Sequence, residues 1–329
     1  MIAAYVLGVD NADVDKDVDN ANVDNTHREK TVTAPHAQPV YLGGNMALTD
    51  SEMKALRPDA LAPAEIEAKA ETIAIGKATM GAGKLFVLAI MAGMFIALGA
   101  TLFTLVQGDA EMGFAFKRIL GGACFSLGLI MVVSCGAELF TGNCLMVCGM
   151  NSGKIDFKGL IRNWVIVYLG NLVGSLIIVL LVYLSNMASM NGSAVGSAMV
   201  ATAVGKVTPD ALTLFVKGIL CNTLVCLAVW MSFSARTLVD KVICVVMPVM
   251  AFVACGFEHS VANMFFLPMG LLSKAVGFGA SVANVDALSI MSVMYNIGIV
   301  TLGNIVGGSI LVGLSYWFVY HKKSEAKGE

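Results

Sequence analysis

Glu258, His259 and Asn263 fall within GFEHSVAN (256–263), inside one of the most apolar stretches of the chain. The run before them reads ICVVMPVMAFVAC and the run after reads MFFLPMGLL. Burying an ionisable group is costly unless it is paired or hydrogen-bonded, and inside a membrane such a group marks a functional site by default. His27, His36 and His321 lie in the N-terminal tail or at the chain end, so His259 is the one histidine of the apolar region. A lone histidine on an apolar helix face is usually a hydrogen-bonded structural residue. The location of His259, at an interruption of an apolar span, favours function instead. An imidazole titrates near about pH 6.5, which lets it exchange a proton at physiological pH.

A second stretch has the same form. GAELFTGN (136–143) and GFEHSVAN both read G-x-E-x-x-x-x-N, and each interrupts a long apolar run. LGNLVG (169–174) and LGNIVG (302–307) then follow in the same order. The two matches divide the chain into halves of three spans. An odd number of crossings gives the halves opposite orientations. Inverted repeats with broken helices build sites near the bilayer midplane in many transport proteins. Irregular backbone at that depth is tolerated only where protein or a water-filled cavity satisfies it, and half-helix N-termini attract anions. Glu138 and Glu258 are expected to accept hydrogen bonds from loop N–H groups and so hold each break open.

The elements that must position these residues follow from composition. The 329 residues are 57% hydrophobic and 13% charged, against about 25% charged in soluble domains. Several runs approach the roughly 20 residues that span a bilayer, so the chain is an all-α polytopic membrane protein. Six spans are expected near 84–106, 118–150, 160–187, 211–233, 240–270 and 289–320. They form a pore domain over 84–320, with halves of about 84–187 and 211–320. Residues 1–60 contain the Asp/Asn/Val-biased run NADVDKDVDNANVDN and are expected to be disordered. Residues 61–83 suit an amphipathic helix at the membrane surface, and 321–329 form a tail. The Lys and Arg distribution favours both termini in the cytoplasm. Trp164, Trp230 and Trp317 fall at the predicted cytoplasmic span ends, as an aromatic belt would. The net charge of −2 comes with no basic stripe, so no nucleic-acid partner is expected. All eight cysteines lie in or beside apolar segments. Cys144 and Cys148 share a helical face but lack further ligands, so neither a disulfide nor a metal is expected. No cofactor is indicated.

AELFTGN, CNTLVCLAVWMS, GFEHSVANMFFLPMG and TLGNIVGG together resemble the formate/nitrite transporter family, which includes hydrosulfide channels. The resemblance covers about residues 60–320. It implies an aquaporin-like fold, a homopentamer in the cell membrane, and a pore through each protomer. An aquaporin itself is disfavoured, because no NPA motif occurs. By this resemblance His259 is the central pore histidine and Thr141 the threonine facing it, with Asn304 as the pore asparagine. Phe125 and Leu129 match a cytoplasmic constriction. Phe252, with Val225 and Asn222, matches an outer one. Lys84 and Lys206 match vestibule lysines, while Glu138, Glu258, Asn143, Asn263 and Asn171 support the loops. One departure is NIGIVTLGN (296–304) where the family often has NLIPVTLGN, which puts the start of span six in doubt.

The implied activity is passage of a small monovalent weak-acid anion, with formate leading and nitrite or hydrosulfide as alternatives. Vestibule lysines would concentrate the anion. Apolar rings would exclude water, and protonation at or through His259 would lower the cost of desolvating the charge. A protonated His259 attracting the bare anion is the other route, and channel-like and proton-coupled transport both stay open. A membrane-embedded enzyme would need a nucleophile with its base or a set of metal ligands, and one His, two Glu and scattered Cys supply a poor inventory. A sensor using the acidic tail is the remaining class.

Overall fold

The computed structural model describes residues 60–321, and all of it is helical apart from turns and loops. The disordered extension and most of the tail, as read from sequence, lie outside the described residues. Helix α1 (Pro63–Thr79) is followed by α2 (Ala82–Gln107) and α3 (Phe114–Cys135). The short α4 (Phe140–Asn143), a 3-10 turn (Cys144–Met146) and α5 (Val147–Asn151) follow. Next come α6 (Phe157–Leu184), α7 (Ala194–Val207) and α8 (Ala211–Ser234). The chain then forms α9 (Leu238–Ala254), α10 (Ser260–Ala275) and α11 (Ile290–Ile305). A stretch of π-helix (Val306–Leu314) carries α11 into α12 (Ser315–Tyr320).

Five helices are long and apolar enough to cross a membrane: α2, α3, α6, α8 and the continuous run Ile290–Tyr320. The breaks anticipated in the second and fifth spans are present, at 136–139 between α3 and α4 and at 255–259 between α9 and α10. Each opens on a left-handed glycine, Gly136 (φ 77°) and Gly256 (φ 73°). Only glycine takes that conformation without a Cβ penalty, and it is a common helix stop. NIGIVTLGN leaves α11 uninterrupted from Ile290 to Ile305. The helix expected over 61–83 ends at Thr79. Helix α7 lies where the sequence suggested only a link between halves.

The LGN segments fit closely against their neighbours. A Cβ added at Gly174 would lie 2.0 Å from the Ile90 carbonyl oxygen, and one at Gly307 would lie 2.2 Å from that of Ile219. The backbones of α6 and α2, and of the π-helical stretch and α8, therefore approach at glycine. Such contact is how small residues let helices pack in a membrane. The tryptophans also differ from a lipid belt. Trp164 donates to the Asn143 carbonyl at 3.0 Å and Trp317 to Ser152 Oγ at 2.8 Å. Trp230 is buried against Tyr316, ring centroids 4.7 Å apart.

Candidate functional site

Asn171 ties the first break shut. Its Oδ1 accepts the Phe140 N–H at 2.9 Å, while its Nδ2 donates to the Glu138 carbonyl at 2.9 Å and to the Ala89 carbonyl at 2.8 Å. Asn304 does the same at the second break. It accepts the Ser260 N–H at 2.9 Å and donates to the Glu258 carbonyl at 2.9 Å and the Gly218 carbonyl at 2.8 Å. Asn304 is thus a fully buried anchor of the loop. Loop backbone that would otherwise be orphaned in an apolar interior is satisfied by these amides.

The carboxylates act differently from the expectation that they accept loop N–H groups. Glu138 accepts from Lys77 Nζ at 2.7 Å and from Asn143 Nδ2 at 2.8 Å. Glu258 accepts from Lys206 Nζ at 3.2 Å and from Asn263 Nδ2 at 2.7 Å. The Asn amides of the LGN segments take the loop, which frees each carboxylate to neutralise a lysine. Asn143 Nδ2 also donates to Asn163 Oδ1, and Asn163 Nδ2 to the Lys77 carbonyl. Asn263 Nδ2 correspondingly donates to Asn296 Oδ1, and Asn296 Nδ2 to the Lys206 carbonyl. Asn163 and Asn296 were missed from sequence, although each sits eight residues before its LGN asparagine.

The two breaks meet at one side-chain pair. His259 Nε2 lies 2.9 Å from Thr141 Oγ1, and both residues are buried. His259 Nδ1 accepts the Ala262 N–H at 3.0 Å, so the ring caps α10. That acceptor role leaves the proton of the neutral ring on Nε2, which donates to Thr141 Oγ1. Asn222 Nδ2 donates to the Thr141 carbonyl at 3.2 Å and to the Asn304 carbonyl at 2.7 Å, bridging the two breaks.

Two cavities approach this pair. The first, about 470 Å³, is lined by His259, Lys206, Lys217, Arg118, Phe125 and Phe252, among others. The second, about 580 Å³, is lined by Leu129, Asn143, Lys69, Lys77, Arg236 and Lys241, among others. Lys217 and Val229 of α8 line different cavities and are twelve residues apart, about 18 Å along a helix axis. Helix α9 gives Lys241 to the second and Phe252 to the first, so the cavities open at opposite ends of the bundle. Phe252 stacks on the His259 ring with centroids 6.0 Å apart, and Phe125 meets Phe252 edge-on at 5.9 Å. Phe125 therefore shares the cavity of Phe252, away from Leu129, because α3 carries the two residues one turn apart across the boundary. Val225 is buried and lines neither cavity, as does Asn222. Lys84 is exposed near the start of α2 and also lines neither. Lys77 takes that place in the second cavity. Lys206 sits 5.2 Å above the Phe266 ring in the first.

A sequence profile of the formate/nitrite transporter family matches residues 64–318. The chain belongs to this family. Formate channel FocA of Escherichia coli K12 is 43% identical over 283 residues, covering 83% of this chain and 99% of that protein. Formate channel FocA of Haemophilus influenzae is 39% identical over 275 residues, covering 80% and 96%. Among solved structures, a pentameric formate channel with formate bound matches with a TM-score of 0.66 and 40% identity, covering 73% of this chain and 98% of that one. An FNT family ion channel matches with a TM-score of 0.68 and 31% identity, covering 78% and 98%. The family and the apolar helices make this a multi-pass membrane protein.

Proposed function

We propose that this chain is a channel for small monovalent weak-acid anions, formate first, with a pore inside each protomer of a homopentamer. The observation that carries the reading is the buried His259–Thr141 pair lying between two cation-lined cavities at opposite ends of the bundle. The relatives named as formate channels supply the substrate. In this reading α9 and α10 together make the sixth crossing, beside the five long helices. The halves are inverted repeats, because the same Lys–Glu–Asn network borders opposite cavities. Both termini are cytoplasmic, which puts the second cavity inside and the first outside. The membrane is the cell membrane.

Lys217 and Arg118 raise the anion concentration in the outer cavity, where Glu258 already neutralises Lys206. Phe125 and Phe252 then strip water from it. A bare carboxylate pays several kcal/mol there, whereas neutral formic acid avoids most of that cost. As held here, His259 offers an Nε2–H hydrogen bond to an anion that displaces Thr141. Transferring a proton requires a second one on Nδ1, which would face the Ala262 N–H donor against donor. Proton transfer therefore requires the ring to turn away from Ala262, whereas conduction by hydrogen bonding alone does not.

Uptake of formate, nitrite and hydrosulfide into proteoliposomes at pH 5 and pH 7.5, with native protein and His259→Ala, tests this. Saturable formate flux whose pH dependence changes in the variant is expected. Formate flux no greater than in protein-free vesicles would end the reading. Equal flux of all three anions, unchanged by the substitution, would reduce the pore to an unselective anion channel with a structural histidine.

A further inference from the structure

Far from the pore pair, three ligating side chains converge where α1 meets the end of the chain. Glu67 and Glu71 lie one turn apart on the same face of α1, and His321 follows α12. A carboxylate oxygen from each glutamate and a ring nitrogen of His321 lie within 4.8 Å of one another. His321 Nδ1 is 2.8 Å from Glu71 Oε1. The His321 ring is held by stacking on Trp317, centroids 5.1 Å apart. Ser152 Oγ donates to Glu71 Oε1 and accepts the Trp317 indole N–H.

Glu67 is the unexplained member. It is 2% exposed, and its Oε1 has no hydrogen-bond partner among the described residues. Burial, with Glu71 beside it, pushes the Glu67 carboxyl up to about 8. Near pH 7 the group is therefore held as the neutral acid, and a metal ion would take the place of its proton. The cation present, Lys154 Nζ, lies 2.5 Å from Glu71 Oε2, and its side chain is 40% exposed. It can swing into solvent and leave the carboxylates to a stronger charge.

We propose that Glu67, Glu71 and His321 form a binding site for a divalent transition-metal ion, zinc first. Two carboxylates and an imidazole suit zinc, with ligand bonds of about 2.0–2.2 Å. An imidazole argues against calcium or magnesium, which take oxygen ligands. Two ligands on opposite sides of one ion are at most about 4.2–4.4 Å apart, so closing onto the ion needs side-chain adjustment only. The ion would join α1 to the residue that ends the last helix and to the 152–154 turn. Because α1 also carries Lys69 and Lys77 of the second cavity, the site would fix one wall of that cavity. No reading of the sequence alone finds it, since the ligands come from positions 67, 71 and 321.

The test uses full-length protein, stripped with chelator and then titrated with zinc at pH 7.5. Native protein, Glu67→Gln, His321→Ala and Lys154→Met are compared by metal content per protomer and by zinc K-edge absorption. The expected result is one zinc per protomer with nitrogen and oxygen ligands in native protein. It should be lost in Glu67→Gln and His321→Ala, and bound more tightly in Lys154→Met, where the competing ammonium is gone. Equal zinc content in all four proteins, sulfur ligation, or no zinc on native protein would overturn the proposal and leave the cluster as an ion-pair network. His321→Ala, at the chain end, guards against a failure of Glu67→Gln to fold.

Discussion

The two breaks share their anchoring and differ at their tips. Position by position, Gly136, Glu138 and Asn143 correspond to Gly256, Glu258 and Asn263, and a lysine–carboxylate–asparagine chain borders both, with the difference that Lys77 also donates to Asn143 Oδ1 while Asn263 Oδ1 has no partner among the described residues. Yet Leu139 stands where the second break has His259. Thr141 likewise answers to Val261. The polar pair at the centre is therefore made from one unlike residue of each break, His259 from the second and Thr141 from the first. Similar anchoring with unlike tips separates what holds a break open from what a passing anion would meet.

The largest effect should come from the anchors. Asn171→Leu and Asn304→Leu each orphan an N–H and two carbonyls in the interior, at about 1–3 kcal/mol per unsatisfied group. Both are expected to reduce the yield of folded protein sharply and to similar extents on size-exclusion chromatography. A severe loss from one and none from the other would show that the breaks are held differently. Next, Gly174→Ala and Gly307→Ala place a Cβ against backbone oxygens at 2.0 and 2.2 Å, which should cost about 1–3 kcal/mol each as helices move apart. Thermal unfolding should fall comparably in the two.

His259→Leu matches one of the two unlike tip positions, giving the second break the leucine that the first has at Leu139. It removes a cap worth about 1 kcal/mol, so folding should persist while the pH dependence of formate flux disappears. Retention of the native pH profile would move the proton chemistry away from the histidine. The smallest effect concerns how each anchor helix begins. Asp156 caps α6 by accepting the Gly159 N–H, and Ser289 caps α11 by accepting the Ser292 N–H. Alanine at either should cost about 1 kcal/mol, seen as a small, similar drop in midpoint temperature with flux unchanged.

The breaks were legible because G-x-E-x-x-x-x-N and LGN are local patterns repeated in the same order. His259 stood out because an ionisable residue in an apolar run is conspicuous. What the sequence hid was which group satisfies which. A carboxylate beside a broken helix suggests loop N–H partners, but the asparagines of α6 and α11 reach those first. Lys77 belongs to α1, which the sequence suggests as a surface helix, and nothing local marks it as the partner of Glu138. Helix α7 escaped because AVGSAMVATAVGKV mixes small and apolar residues without a strong period. Phe125 and Leu129, one turn apart on α3, look like a single ring until the packing of α9 assigns them to different cavities.

The asparagine anchors and the lysine–carboxylate pair of the first break come from residues 77 to 171, and those of the second from residues 206 to 304. Across the segments, Asn222 donates to the Thr141 carbonyl, and Arg118 donates to the Val253 and Ala254 carbonyls at the end of α9. Phe140 and Asn171 are 31 residues apart, and Ser260 and Asn304 are 44 apart. The contact between Thr141 and His259, 118 residues apart, needs both segments. Loop closure grows costlier with separation, and chains emerge N-terminal part first during synthesis. The first segment thus holds its own asparagine anchors before the second has left the ribosome, and the central pair, with the Asn222 and Arg118 bonds, is a late product of docking the two pieces.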